Sequence, residues 1–268
     1  MSDLQISDSR LELAVRAATE AGERAESVKT TTPSERKGND SIVTAADREA
    51  ESIVREHLRD GSDHPVFGEE YGGDIEGEDT YWVVDPIDGT RNFSYQQPLY
   101  GCAVALVEAD EPTVGVWYMP ELDYLFYAVA GRGAYRGAER LSVSDERDLG
   151  RSYPIVTGKG RERIYPAVAR LTEGAQQVGS AVMTESWVAS GWSDVGVLTA
   201  LAPWDMAAGV VLVREAGGVL KTVADGASDW AAVSEGRVVV GAEPLVDAVR
   251  AEFSPDEVET VLNTEYDW

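Results

Sequence analysis

The sequence predicts two successive halves: an α+β half with a mostly antiparallel sheet over residues 1–141, then a smaller α/β half over residues 142–268. Three observations predict it. Two stretches with apolar residues at helical spacing open the chain. Three apolar strands separated only by turn residues lie between Tyr100 and Val129, the pattern of an antiparallel meander. From Tyr153 onward, strand and helix patterns alternate. A polar stretch around residues 141–150 marks the boundary.

In chain order, Leu11, Ala14, Val15, Ala18, Ala21 and Ala25 set a helix over residues 6–28, with Ser7 or Ser9 to cap it. Residues 30–39 read as a loop because of Pro33 and Gly38. Its Arg36-Lys37 pair is either solvated charge or an anion-facing patch. A second helix starts over residues 41–47, with Ala46, Ala50, Ile53, Val54, His57 and Leu58 as its buried stripe. His57 is read there as a packing residue; with His64 ahead of Pro65 it gives no histidine metal site or triad. Residues 65–68 form a short strand that runs into Glu69-Glu70, and residues 81–84 form a buried strand. Residues 92–97 are a short helix or turn, and strands follow at 100–107, 113–119 and 124–129. The second half carries strands at 153–157, 176–178, 194–198, 218–222 and 238–241. Its helices lie at 162–171, 180–189, 204–216 and 244–252, the last with Pro244 in its first turn. The acidic tail begins at Ser254, with one more helical turn over 258–262.

Composition bounds the function. With 268 residues and 43% hydrophobic content, the chain can bury a substantial core. Aspartate and glutamate number 48 against 23 lysines and arginines, a net charge of −25. Lysine occurs only at 29, 37, 159 and 221. Such a chain repels nucleic acid and anionic lipid. The apolar content and seven tryptophans argue against disorder, so the acid is read as a hydrated surface suited to high salt, that of a halophilic protein. No apolar run reaches the ~18 residues of a membrane span. Met1-Ser2-Asp3-Leu4 shows no basic leader, and Cys102, the only cysteine, allows no internal disulfide. These features set a cytoplasmic expectation.

Chemistry concentrates at Asp85-Pro86-Ile87-Asp88-Gly89-Thr90. Two carboxylates at a strand end offer hard oxygen donors to a divalent cation. A Gly-Thr turn opening a helix points unpaired N–H groups at an anion. Metal beside anion is what a Mg²⁺-dependent phosphatase requires. Glu69-Glu70 repeats the pattern of strand followed by carboxylates, which points to one shared metal site rather than a solvated loop. Asp47 fits a capping box with Thr44, and Asp205 near a helix start fits a dipole-compensating acid. The spacing excludes an EF-hand loop, an Asp-x-Asp nucleophile motif, a Walker loop and a Gly-x-Ser-x-Gly elbow.

The hexapeptide at 85–90 resembles the signature of the inositol monophosphatase family of lithium-sensitive, Mg²⁺-dependent phosphatases. Val43-Thr44-Ala45-Ala46-Asp47, Gly68-Glu69-Glu70, Gly131-Arg132-Gly133-Ala134, Trp204-Asp205-Met206-Ala207-Ala208-Gly209 and Glu215-Ala216-Gly217-Gly218 match in the family's order. The resemblance implies a layered αβαβα sandwich and a homodimer. It implies two to three Mg²⁺ ions, with Glu69, Asp85 and the Ile87 carbonyl holding the first and Asp85, Asp88 and Asp205 the second. Gly89 and Thr90 N–H groups would bind phosphate, and Asp47 and Thr90 would orient a metal-activated water for in-line attack, with Glu69 also serving catalysis. Ser180 and Ala181 would contact the substrate. Leu198 stands where the inositol enzymes carry an acid that accepts ring hydroxyls, and Ser41 replaces an aspartate. The implied reaction is hydrolysis of inositol monophosphate or a related sugar phosphate. Fructose 1,6-bisphosphate is a serious variant and 3′-phosphoadenosine phosphate a weaker one. The alternative of another class is a non-catalytic metal- or phosphate-binding regulator.

Overall fold

The computed structural model describes residues 4–31, 34–36, 42–199, 201–234 and 236–252. The helices, among the described residues, are α1 (Ser9–Val28), α2 (Ala45–Gly61), α3 (Thr90–Ser94), α4 (Arg161–Leu171), α5 (Ala181–Ala189), α6 (Pro203–Glu215), α7 (Trp230–Val233) and α8 (Glu243–Glu252). The strands are β1 (Ser34–Arg36), β2 (Ile42–Thr44), β3 (Val66–Gly68), β4 (Thr80–Asp88), β5 (Gly101–Glu108), β6 (Glu111–Met119) and β7 (Tyr124–Val129). They continue with β8 (Ala134–Arg136), β9 (Glu139–Arg140), β10 (Ile155–Gly158), β11 (Val195–Thr199), β12 (Val219–Thr222) and β13 (Val238–Gly241).

Strands β3 to β9 form a seven-stranded sheet in sequence order, antiparallel except for the parallel β3–β4 pair. A four-stranded sheet runs β10-β11-β13-β12, with β10 and β11 parallel. Helices α1 and α2 cover one face of the large sheet; α6 covers the other and packs on α5. Helix α5 meets the small sheet, whose far side carries α4 and α8. The result is the layered αβαβα sandwich.

Side-chain alternation builds the layers. Along β11, Val195 and Val197 join the core under α4 and α8, while Leu198 joins the core under α5 and α6. In β6, Val114, Val116 and Tyr118 face α1, and Trp117 and Met119 face α6. A period of two with both faces apolar reads as a fully buried strand. Among the described residues, no helix is long and apolar enough to cross a membrane.

The structure corrects several readings. The expected loop at 30–39 contains β1, which pairs antiparallel with β2, Ser34 opposite Thr44. Helix α2 therefore starts at Ala45, because the β-branched run Ile42-Val43-Thr44 takes the extended form. The expected strand at 176–178 is a single bridge from Gln176 to Ile155. The buried strand read as 81–84 continues through Pro86 to Asp88. His57 is half-buried at the edge of its stripe, with Nε2 at 2.8 Å from Glu20. Lys37, Asp40, Ser41 and the tail from Ser254 lie outside the described residues.

Candidate active site

The site begins with a fault in β4. In a regular strand, residues three apart point to opposite faces. Val83 faces the α6 layer and Val84 the α1 layer, so a regular strand would turn Asp85 toward α6 and Asp88 away from it. The pairing of β4 with β5 shifts register between Asp85 and Asp88. Pro86, with no N–H to donate, sits in that irregularity. Ile87 consequently joins the core beneath α1 and α2, and both aspartates face α5 and α6. The Ile87 N–H donates to Asp85 Oδ1 at 3.1 Å, closing the kink.

Asp205 arrives from the opposite layer. It lies in the first turn of α6, where its Oδ2 accepts the Ala202 N–H at 2.7 Å. Helix capping fixes one of its oxygens, and Asp85, Asp88 and Asp205 each present a carboxylate oxygen within 4.8 Å of the other two. Asp88 is held differently. It accepts the Ser180 hydroxyl, the Ala181 N–H at 3.1 Å and the Val182 N–H at 2.9 Å, so it caps α5 from outside that helix. The donors of Ser180 and Ala181 are thus engaged with Asp88.

Crowding shows in the ionisation. Burial first, then the charges of Glu69, Asp88, Asp205 and Asp47, push the Asp85 carboxyl well above its usual range. Burial raises Asp88 to about 6 against the lowering effect of its Ser180 and α5 backbone donors. Burial, then Asp88, raises Asp205 to about 7, with Ala202 and Lys159 opposing. Among the described residues, none of the three has a lysine or arginine salt bridge.

Beside the triad, Gly89 takes φ 91° at the start of α3, a left-handed conformation that favours glycine; an added Cβ would lie 2.9 Å from the Leu99 carbonyl. Thr90 follows. Its hydroxyl has one proton and two acceptors in reach, Asp47 Oδ1 at 3.2 Å and the Ile87 carbonyl at 3.0 Å. Asp47, 1% exposed in the first turn of α2, therefore meets Thr90 across 43 residues. Glu69 lines the same cavity as Asp88, Gly89, Thr90, Ser180, Ala181 and Asp205, at the margin rather than within the triad. Leu198 is 0% exposed in the core and lines no part of that cavity. Strand β11 turns that side chain toward the core under α5 and α6.

Three features escaped the sequence reading. Glu51, fully buried on α2, accepts the Glu70 N–H at 2.6 Å and the Tyr71 N–H at 3.3 Å, and pairs with Arg55 at 2.7 Å. Arg55 in turn donates to the Val66 and Gly72 carbonyls, so this pair holds the turn that carries Glu69. The i,i+4 spacing of an acid and an arginine beside an apolar stripe was its signal. Glu185 on α5 is fully buried with neither carboxyl oxygen hydrogen-bonded, packed against Gly209 of α6. Burial, then Asp88 and Asp205, raises its carboxyl well above the usual range. Finally, Glu215 at the end of α6 accepts the N–H groups of Gly131 and Gly133, both at 2.7 Å. Two motif segments far apart in sequence thereby meet at the opposite end of α6 from Asp205.

The sequence matches the profile of the inositol monophosphatase family over residues 7–257. It is 33% identical over 206 residues to the fructose-1,6-bisphosphatase/inositol-1-monophosphatase of Aquifex aeolicus, covering 73% of this chain and 78% of that protein. It is also 33% identical over 266 residues to the Nus factor SuhB of Escherichia coli K12, covering 94% of this chain and 98% of that protein. Among solved structures, an IMPase from Thermotoga maritima superposes with a TM-score of 0.88 at 26% identity, over 95% of this chain and all of that one. A family profile spanning nearly the whole chain, joined to a fold shared across its layers with a solved member, places the chain in one group: it belongs to the inositol monophosphatase family of phosphatases.

Proposed function

We propose that the chain is a Mg²⁺-dependent phosphomonoesterase that releases phosphate from an inositol phosphate or related sugar phosphate. The observation that carries this reading is the convergence of Asp85, Asp88 and Asp205 from two layers onto one point. The donor set fits the ion: oxygen only, crowded with like charge, and unrelieved by any arginine or lysine salt bridge among the described residues. Glu69, Asp85 and the Ile87 carbonyl would hold one ion and Asp85, Asp88 and Asp205 a second, with two to three ions in all. Bound there, Mg²⁺ supplies Lewis acidity and makes water acidic enough to act near neutral pH.

The chain's own residues do the rest. Residues 1–141 supply every metal-holding group except Asp205, which residues 142–268 bring across the layer. The Gly89 and Thr90 N–H groups precede the first intrahelical bond of α3, made by the Phe93 N–H to the Gly89 carbonyl at 3.0 Å, and so are free to receive phosphate oxygens. The Thr90 hydroxyl, held between Asp47 and the Ile87 carbonyl, orients the attacking water, and Asp47 draws on its proton through Thr90. The water oxygen bonds to phosphorus as the ester P–O bond breaks in line, and the alcohol leaves with a proton from solvent. Lithium sensitivity, a homodimeric state and a halophilic, cytoplasmic setting belong to the same reading.

Retention of all the carboxylates supports turnover over a purely regulatory role. The test is phosphate release from a panel of phosphomonoesters with and without Mg²⁺. Release that requires Mg²⁺ supports the reading; no Mg²⁺-dependent release from any ester refutes it.

A further inference from the structure

We infer that Glu185, enclosed between α5 and α6, is a positioning residue of the proposed metal centre, whose carboxylate strengthens the hold of Asp88 and Asp205 on the second Mg²⁺ ion. The inference rests on the phosphatase reading and adds a residue to its site. Glu185 lines no part of the cavity that holds Asp88 and Asp205, so it acts from behind them and not on substrate.

The placement is costly. Glu185 is 0% exposed, and neither carboxyl oxygen has a hydrogen-bond partner. Val182, Met183 and Val188 on α5 and Ala207, Ala208 and Val210 on α6 belong to one apolar core. Among the described residues, no lysine, arginine or histidine forms a salt bridge with Glu185. A carboxyl group so placed is unfavourable in either state, as a charge without a counter-ion or as an acid whose O–H has no acceptor. An apolar side chain of the same size would fill the space without that cost. Yet the fold makes room for the acid. Its carboxyl lies against Gly209 of α6, where an added Cβ would collide with it.

The position supplies the reason. Glu185 lies one turn after Ala181 on the same face of α5, and Gly209 lies one turn after Asp205 on the same face of α6. The Ala181 and Val182 N–H groups are the ones that hold Asp88. Helical side chains lean toward the N-terminus, which sets Glu185 toward that end of α5. After burial itself, the charges of Asp88 and Asp205 are what push its carboxyl up. Lys159 acts on Asp205, but no cation is among the groups that shift Glu185. The group that offsets all three acids is a cation held by Asp88 and Asp205. Without one, burial keeps Glu185 neutral. Beside one, its anionic form is favoured and adds attraction from the side that water does not screen.

A competing explanation is that Glu185 only fills space between the helices. Charge and size separate the two. E185Q keeps the size and loses the charge; E185D keeps the charge and loses one methylene. E185M, apolar and matched in size, reports the same loss where a polar variant does not fold. The metal-stripped full chain is titrated with Mg²⁺ alone at fixed KCl, and apparent affinity is read from the rise in melting temperature. We expect E185Q and E185M to bind Mg²⁺ about ten- to hundredfold more weakly than wild type. E185D should stay closer to wild type than E185Q does, whereas packing alone ranks E185Q above E185D. With inositol 1-phosphate, saturating Mg²⁺ should recover most of kcat in E185Q. Wild-type Mg²⁺ affinity in E185Q or E185M overturns the inference, as does tighter binding by E185Q than by E185D. Both results leave the phosphatase reading intact. A wild-type protein that neither binds Mg²⁺ nor releases phosphate with it overturns that reading as well and so is distinguishable.

Discussion

Two strand ends in this protein look alike in sequence and differ in physics. Strand β3 runs into Glu69-Glu70, and β4 runs into Asp85 and Asp88. At β3, the backbone is the held part: Glu51 takes the N–H groups of Glu70 and Tyr71, and Arg55 braces Glu51. At β4, the carboxylates themselves are held, 2% and 4% exposed, by a register shift and by the N-terminus of α5. One end is a carboxylate set on a pinned turn, the other a crowded anionic centre with an unfavourable charge state. The difference teaches that the pattern "strand, then acid" does not fix an acid's energetic role. What lies across the layer does.

The largest break in this comparison is D85N. We expect it to lower turnover by more than about a hundredfold, because it removes the group shared by both proposed ions. It should also raise the melting temperature of the metal-free protein, since it removes a buried charge crowded by four others. Steady-state kinetics and calorimetry in EDTA check both halves. By contrast D88N should lose activity and stability together, because an amide places donors against the Ser180, Ala181 and Val182 donors.

At the other strand end, E51A should destabilise the protein by about 3–5 kcal/mol, as expected when one partner of a buried ion pair is removed. Where it stays folded, its KM for Mg²⁺ should rise while saturating Mg²⁺ recovers most of kcat, read by Mg²⁺ titration. A kcat loss as deep as that of D85N would erase the distinction between the two ends.

The pH dependence sharpens the comparison further. Asp88 and Asp205 stand at about 6 and about 7 in the fold, against 3.8 for the free side chain. Their raised values mean that the folded state binds more protons than the unfolded chain between pH ~4 and ~7. Stability of the metal-free protein should therefore fall as pH rises through that window, by on the order of a few kcal/mol. Saturating Mg²⁺ should flatten the trend. Thermal melts at pH 5 and 7.5, with D85N/D205N as control, report it.

The smallest expected effect concerns salt. Self-repulsion of the −25 surface is screened by ions, so the melting temperature should rise with KCl beyond what 0.1 M provides. Full stability at low salt would remove the halophilic reading.

The sequence made the layers legible because both sheets repeat apolar residues at a period of two and the helices at 3.6. The meander from Gly101 to Val129 needed only its turn residues to be read. The register shift at Pro86-Ile87 was not legible, since periodicity assigns Asp85 and Asp88 to opposite faces and only the pairing with β5 re-phases them. Glu51 lies beside an apolar stripe as a surface charge would, and only Arg55 four residues on set it apart. The engagement of Asp88 with α5 joins residues 92 apart by sequence, which no local pattern encodes. Short β1 and β2 escaped because three residues carry too little periodicity to compete with Pro33 and Gly38.

The most direct test of the central claim is phosphate release from inositol 1-phosphate by metal-stripped protein as Mg²⁺ is added back, with D85N alongside. The account predicts no release without Mg²⁺, a saturable return of activity in wild type, and no return in D85N. Release by the stripped protein at the wild-type rate, or a D85N protein that responds to Mg²⁺ as wild type does, would contradict it.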